Sequence, residues 1–204
     1  MVLASRNAHK VIEMRRLLDE GGLAIVLEDL LAHPDVPETR ETGSTFAANA
    51  LLKARDVSAA TGLPAIADDS GICVDALNGM PGVLSARWSG RHGDDRANVE
   101  LLLGQVRDVP TERRGAHFTC AVAVVVPDGA DGPIERVVEG LVEGRIIDEP
   151  RGADGFGYDP IFVPVGEERT TAEMSWAEKD RLSHRGQAMR ALIPVLTDLL
   201  GERG

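Results

Sequence analysis

Gly62-Leu63-Pro64-Ala65-Ile66-Ala67-Asp68-Asp69-Ser70-Gly71 holds a helix stop, a buried strand and a pair of acids in direct succession. Gly and Pro punctuate the chain and end the preceding pattern. Ala65-Ile66-Ala67 carries no polar side chain and predicts a short buried strand, which runs straight into Asp68-Asp69-Ser70-Gly71. Upstream, residues 45–61 are rich in Ala and Leu and predict a long helix. A helix that hands the chain to a fully apolar strand is the local signature of an α/β protein.

The same alternation extends to both sides. Residues 1–4 form an apolar run and predict a strand; polar Ser5-Arg6-Asn7 follows, then a helix over 9–20. Val11, Met14, Leu17 and Leu18 fall on one face of that helix, and Gly21-Gly22 stops it. Residues 24–27 predict a second strand, and 32–44, with three acids and two prolines, a polar loop. Downstream, 78–93 reads as an irregular excursion and 94–103 as a helix. Over 117–126 one parity holds Phe118, Cys120, Val122, Val124 and Val126, which predicts a strand half-buried on that face. Residues 134–142 predict its antiparallel neighbour, joined through Pro127-Asp128-Gly129. Ser175-Trp176-Ala177-Glu178 is a capping box. A last helix over 183–200 carries the stripe Met189, Leu192, Ile193, Leu196, Leu199, Leu200, with Pro194 inside it as a site for a kink. Strands alternating with helices, plus one antiparallel pair, predict a mixed α/β sheet with flanking helices.

The 204 residues suffice for one substantial domain, two-lobed at most. Lys and Arg total 22 against 33 Asp and Glu, a formal net charge of -11. A duplex-binding protein neutralises phosphates with a basic face, so this balance argues against nucleic acid as partner. With aromatics at 3%, a many-ringed base-stacking surface is also excluded. Any phosphate this chain binds needs a local basic pocket or a divalent cation. Cys73 and Cys120 lack the neighbouring Cys or His that zinc requires and read as buried, reduced thiols. No apolar run long enough to span a bilayer and no signal-peptide pattern is present, so the expectation is a cytosolic protein free of membranes.

Four polar clusters interrupt these patterns. Ser5-Arg6-Asn7-Ala8-His9-Lys10 sits between strand and helix, where backbone N–H groups favour anions; a plain helix entry capped by Asn7 is the simpler reading. Asp68 and Asp69 follow a strand, where α/β sheets bind ligands, and suit Mg2+, which bridges carboxylates to substrate phosphates. The plainer alternative is an Asx-type turn finished by Gly71. Glu41 offers a further carboxylate, and Asn49 and Lys53 share one helix face at i and i+4. Gly155-Phe156-Gly157-Tyr158-Asp159-Pro160, with Lys179, Ser183, His184, Arg185 and Gly186, suits a flat ring stacked on Phe or Tyr and read by planar donors. The P-loop pattern, the dinucleotide fingerprint, the H-E-x-x-H zinc site and the G-x-S-x-G elbow are all absent from the sequence.

In order and spacing these clusters resemble the inosine triphosphate pyrophosphatase family. The matching stretches are Ser5 to Lys10, Glu41-Thr42-Gly43 with Asn49-Ala50 and Lys53-Ala54-Arg55, Ala67-Asp68-Asp69-Ser70-Gly71, Pro81-Gly82-Val83-Leu84-Ser85-Ala86-Arg87, Gly155 to Pro160, and Ser183-His184-Arg185-Gly186. They cover the chain almost end to end. The resemblance implies one two-lobed domain over 1–204 with a nucleotide cleft between lobes, usually a homodimer. It implies hydrolysis of non-standard purine nucleoside triphosphates (ITP, dITP, XTP) to the monophosphate and pyrophosphate. By that likeness Asp69, Lys10 and Lys53 are catalytic, and Asp69, Glu41 and Asp68 hold Mg2+. Ser5, Arg6, Asn7, Ala8, His9 and Lys10 bind the triphosphate; Ser70, Phe156, Gly157, Tyr158, Asp159, Lys179, His184 and Arg185 bind the rest of the nucleotide. Two positions depart from the family pattern: Arg40 stands where a second acid is frequent, and Ala48 where Glu is frequent. The competing readings are a pyrophosphatase for modified pyrimidine nucleotides and a nucleotide-binding regulator without turnover.

Overall fold

The computed structural model of the chain describes residues 1–6, 8–127 and 132–201, apart from the side chains of Ala8, His9, Glu13, Leu200 and Gly201. Asn7, the side chains of Ala8 and His9, the turn at Asp128-Gly129 and the Leu200 side chain, all expected to matter above, lie outside the described residues.

Six strands form one mixed sheet in the order β2-β1-β3-β4-β5-β6. They are β1 (Val2–Leu3), β2 (Glu28–Asp29), β3 (Ala65–Val74), β4 (Gly115–Val126), β5 (Ile134–Ile146) and β6 (Phe162–Pro164). β1 runs parallel to both β2 and β3, while β5 and β6 are antiparallel. The helices are α1 (Ala8–Glu20), α2 (Phe46–Thr61), α3 (Asp95–Val106), α4 (Trp176–Leu182) and α5 (His184–Gly201). Parallel strands need a crossover to join them, and α1 and α2 lie in the connections that link β1 to β2 and β2 to β3.

The chain forms two compact units. The first comprises Met1–Asp69, Ala121–Gly140 and Gln187–Gly204; the second, Ser70–Cys120 and Leu141–Gly186. The boundaries fall inside β3, β4, β5 and α5, so no linker separates them. The first unit buries Val11, Met14, Leu17 and Leu18, the apolar face expected of α1, together with Ala65, Ile66 and Ala67. The second buries a cluster of Ile72, Val74, Val99, Leu102, Phe118, Ile146, Ile161 and Phe162.

Local chemistry explains the element ends. Thr45 caps α2 by accepting from the Ala48 N–H at 3.1 Å, and Gly62 closes it in the left-handed region at φ 68°. Asp94 caps α3 in the same way. The capping box at Ser175 and Glu178 forms as expected and starts α4. α5 continues past Pro194 for two further turns; Met189, Leu192, Leu196 and Leu199 are buried.

Four expectations need correction. The acids do not follow a three-residue strand: β3 is ten residues long, and Asp68-Asp69-Ser70-Gly71 lies within it. That also removes the Asx turn. Gly71 permits the continuation, because a Cβ there would stand 2.3 Å from Ser85 Oγ and 2.6 Å from the Gly82 carbonyl oxygen. The strand expected over 24–27 is instead the two-residue β2 at Glu28–Asp29, since its partner β1 offers only Val2 and Leu3 for pairing. β4 alternates in burial only as far as Cys120. From Ala121 to Val126 every side chain is buried, so that half of the strand is covered on both faces. Of the two free thiols Cys120 is buried, whereas Cys73 is only half-buried.

Candidate active site

The first unit gathers Lys10, Lys53 and Glu41 around Asp68 and Asp69. Successive strand residues face opposite ways, and the partners of the two acids differ accordingly. Lys10, in the first turn of α1, donates to both oxygens of Asp68 at 2.8 Å. Lys53, from α2, donates to Asp69 Oδ1 at 3.1 Å and to Glu41 Oε1 at 3.0 Å. Asn49, one turn before Lys53 and fully buried, donates to Asp69 Oδ2 at 3.1 Å. Its own Oδ1 accepts from the Gly43 N–H at 2.8 Å, which ties the Glu41-Thr42-Gly43 loop to the helix. A Cβ at Gly43 would stand 2.7 Å from that oxygen, so glycine is what lets the loop approach.

The electrostatics of this cluster are polarised. Burial works against the charged form of Lys53, but Asp69, Asp68 and Glu41 overcome it and hold its pKa above the usual lysine value. Asp69 moves the other way: burial, reinforced by Glu41, raises its carboxyl despite the opposing pull of Lys53 and Asn49. A carboxylate with elevated proton affinity beside an ammonium whose charged form is favoured is the combination that acid–base catalysis uses.

Among the described residues no three His, Cys, Asp or Glu side chains already converge as a ligand set. Glu41, Asp68 and Asp69 nevertheless supply hard oxygen donors, and each oxygen has two lone pairs. Three carboxylates against two ammonium groups leave the cluster with an excess of negative charge. Mg2+ is held by one or two carboxylates with substrate phosphates completing its shell, and this donor set fits that demand.

Not every residue of the first stretch joins the cluster. Arg6 Nη2 donates to the Val36 carbonyl at 2.9 Å, and the Ser5 carbonyl accepts from the Leu30 N–H at 3.2 Å. Lys10, from the same stretch, reaches Asp68.

In the second unit Gly155 to Asp159 form a tight turn. Gly155 and Gly157 both have positive φ, at 83° and 61°. Asp159 is buried and organises the turn: Oδ2 accepts from the Phe156 N–H at 2.8 Å and from Lys179 Nζ, and Oδ1 accepts from Thr171 Oγ1 at 2.8 Å. Phe156 projects outward, 55% exposed. Lys179 Nζ lies 4.9 Å and the Arg185 guanidinium carbon 5.6 Å from its ring centroid. Arg185 also donates to Ser70 Oγ at 3.2 Å.

Tyr158 and His184 are placed differently. Tyr158 turns inward and donates its hydroxyl to the Ser85 carbonyl at 2.9 Å; burial, with Asp95 nearby, pushes its phenol up. His184 stacks face to face on Phe118, centroids 4.8 Å apart. Of the two aromatic residues of the Gly155–Asp159 turn, Phe156 is therefore the one exposed to a flat ligand. Sequence reading missed Asp95, whose Oδ2 accepts from the Gly157 N–H at 2.7 Å, and Thr171. Neither stands out by spacing; both lie far along the chain from the turn they hold.

The fold is a mixed α/β sheet whose third strand of six carries lysine-bound carboxylates in the first unit, and the second unit holds an exposed phenylalanine flanked by cations. The chain belongs to the Ham1 family, whose model matches residues 1–195. It is 56% identical over 201 residues to the dITP/XTP pyrophosphatase of Streptomyces coelicolor, covering 98% of each chain. It is also 56% identical over 200 residues to the dITP/XTP pyrophosphatase of Mycobacterium tuberculosis H37Rv, covering 98% of this chain and 96% of that one. The crystal structure of a nucleoside-triphosphatase, dITP/XTP pyrophosphatase, from Mycobacterium abscessus is 55% identical, with a TM-score of 0.79, over 96% of this chain and 98% of that one. A HAM1 protein from Coxiella burnetii is 43% identical with a TM-score of 0.87, over 97% and 98%. No helix among the described residues is long and apolar enough to cross a membrane.

Proposed function

We propose that this chain hydrolyses the non-standard purine nucleoside triphosphates dITP, ITP and XTP to the monophosphate and pyrophosphate, and so cleans the nucleotide pool. The observation that carries this reading is the set of three lysine–carboxylate contacts at β3, Lys10 with Asp68 and Lys53 with Asp69 and with Glu41 of the preceding loop. The name shared by relatives more than half identical over nearly the whole chain supports it.

In the reaction a water attacks the α-phosphorus and gives its proton to Asp69. The bond from that phosphorus to the bridging oxygen breaks, and pyrophosphate leaves with its electron pair. Lys53 and Asn49 hold the Asp69 carboxylate in one orientation, and burial raises its basicity. Lys10 and Lys53 meet the charge that develops on the leaving group. Glu41, Asp68 and Asp69 would hold the cation, which we take to be Mg2+; when bound, it offsets phosphate charge that a protein of net charge -11 would otherwise repel. Phe156 stacks the base, with Lys179 and Arg185 as donors beside it. A donor aimed at a 6-keto oxygen finds a 6-amino group in ATP, and both are then left unpaired, a mismatch able to discriminate by about 10^4. We extend the proposal to a cytosolic homodimer that acts on free nucleotides, not on nucleic acid.

The test is a panel of dITP, ITP, XTP, ATP, dUTP and dTTP, read as pyrophosphate release with Mg2+ and with a chelator. Preference for the 6-keto purines and loss of turnover with the chelator are expected. Preference for dUTP or dTTP would move the chain to the pyrimidine class, and binding of ITP without turnover would make it a regulator. Arg185→Ala is expected to narrow the ITP-over-ATP ratio of kcat/KM by at least tenfold. An unchanged ratio would place base discrimination on other residues.

A further inference from the structure

We propose that Trp176 contacts the substrate base, forming with Phe156 a second aromatic wall; this deepens, and rests on, the assignment of Phe156 as a base-stacking residue. The two rings share one cation. Lys179 Nζ lies 4.9 Å from the Phe156 centroid and 5.9 Å from the Trp176 centroid, so the two centroids are at most about 11 Å apart, the sum of those distances. Aromatic groups interact at centroid separations of about 4.5–7 Å, so one purine can reach both rings.

Three features favour the outer faces of these rings as the place where the base lies. Phe156 and Trp176 are exposed to the same degree, 55% and 56%. The hollow that Lys179 also borders, lined besides by Phe118, Asp159, Phe162 and His184, measures about 20 Å³. That volume admits a water and not a base. Lys179 cannot swing away to open it without breaking its contact with the buried Asp159. The Trp176 backbone is also fixed. It is the first residue of α4, whose start is held by the Ser175–Glu178 capping box and by Arg169, which donates to Glu178 Oε1 at 3.1 Å. A large exposed ring on a pinned helix start loses only side-chain rotamer freedom when a ligand stacks on it.

The chain has two tryptophans, and the other, Trp88, donates its indole N–H to Gln105 Oε1 at 2.8 Å. In a Trp88→Phe variant all indole emission therefore reports Trp176. Titration with ITP and Mg2+, read by stopped flow ahead of turnover, is expected to quench that emission saturably, while inorganic triphosphate with Mg2+, which has no base, leaves it unchanged. Trp176→Ala is expected to raise KM for ITP about tenfold with kcat within about twofold, the scale of one lost stacking contact, and Trp176→Phe to recover most of the loss. No quenching by ITP, quenching by triphosphate alone, or an unchanged KM in Trp176→Ala, each in a protein that hydrolyses ITP, overturns the proposal. Failure of the unaltered chain to hydrolyse or bind ITP overturns the functional reading itself, and Trp176 with it.

Discussion

Asp69→Asn is expected to lower kcat for dITP by about 10^3-fold, within the range that a positioned general base contributes, while the protein remains folded. The two outcomes have separate causes. Asn keeps the shape of Asp but has no carboxylate to take the proton from water, and its amide nitrogen meets the Asn49 amide, donor against donor, where Asp69 Oδ2 accepts at 3.1 Å. Stability behaves differently because burial already raises the Asp69 carboxyl. A carboxyl whose folded pKa exceeds its unfolded one contributes stability only at low pH, and that contribution is lost as pH rises through the folded value. At neutral pH its charged form is therefore a cost that Asn removes. Lys53 loses one counter-charge and keeps Glu41 at 3.0 Å. Pyrophosphate release and a urea titration on the same preparation check both halves. Near-normal turnover would remove Asp69 from the chemistry; unfolding would make the carboxylate structural.

That the acids matter was legible in the sequence; where in the strand they sit was not. Ala65-Ile66-Ala67 announces burial, and a reader expects charge to end it. The strand goes on because each acid meets a lysine from a different helix, and because Gly71 lets Gly82 and Ser85 press against the backbone. Both causes are tertiary and leave no mark on local periodicity. α2 was readable to within a residue because its signals are local: a threonine cap, an Ala-rich run and a left-handed glycine. The spacing of Asn49 and Lys53 put them on one helix face, and both reach Asp69. β4 was half-readable. Its alternation holds where one face is open, and fails from Ala121 on, where small and β-branched residues fill both faces. Asp95 and Thr171 were invisible, since the groups they hold lie 62 and 12 residues away in the chain.

Lys53→Met tests the electrostatic logic of the first unit directly. Methionine keeps much of the aliphatic stem and removes the ammonium. Asp68 retains Lys10, but Asp69 and Glu41 then face each other across a largely buried space, with side chains 12% and 22% exposed. Breaking a buried pair by removing one partner costs about 3–5 kcal/mol; the residual exposure here lowers the expected loss to about 2–3 kcal/mol. kcat is expected to fall by about 10^2-fold or more, because one of the two ammonium groups assigned to the leaving pyrophosphate is gone. The distinguishing result concerns Mg2+. If Glu41 and Asp69 are cation ligands, the variant presents them without the competing Lys53 ammonium, and a cation that binds the folded chain stabilises it in proportion to its occupancy. The urea midpoint of Lys53→Met should therefore rise with added Mg2+ more steeply than that of the unaltered protein, whose lysine competes for the same oxygens. Equal responses in the two proteins would mean that these carboxylates hold lysine and not metal.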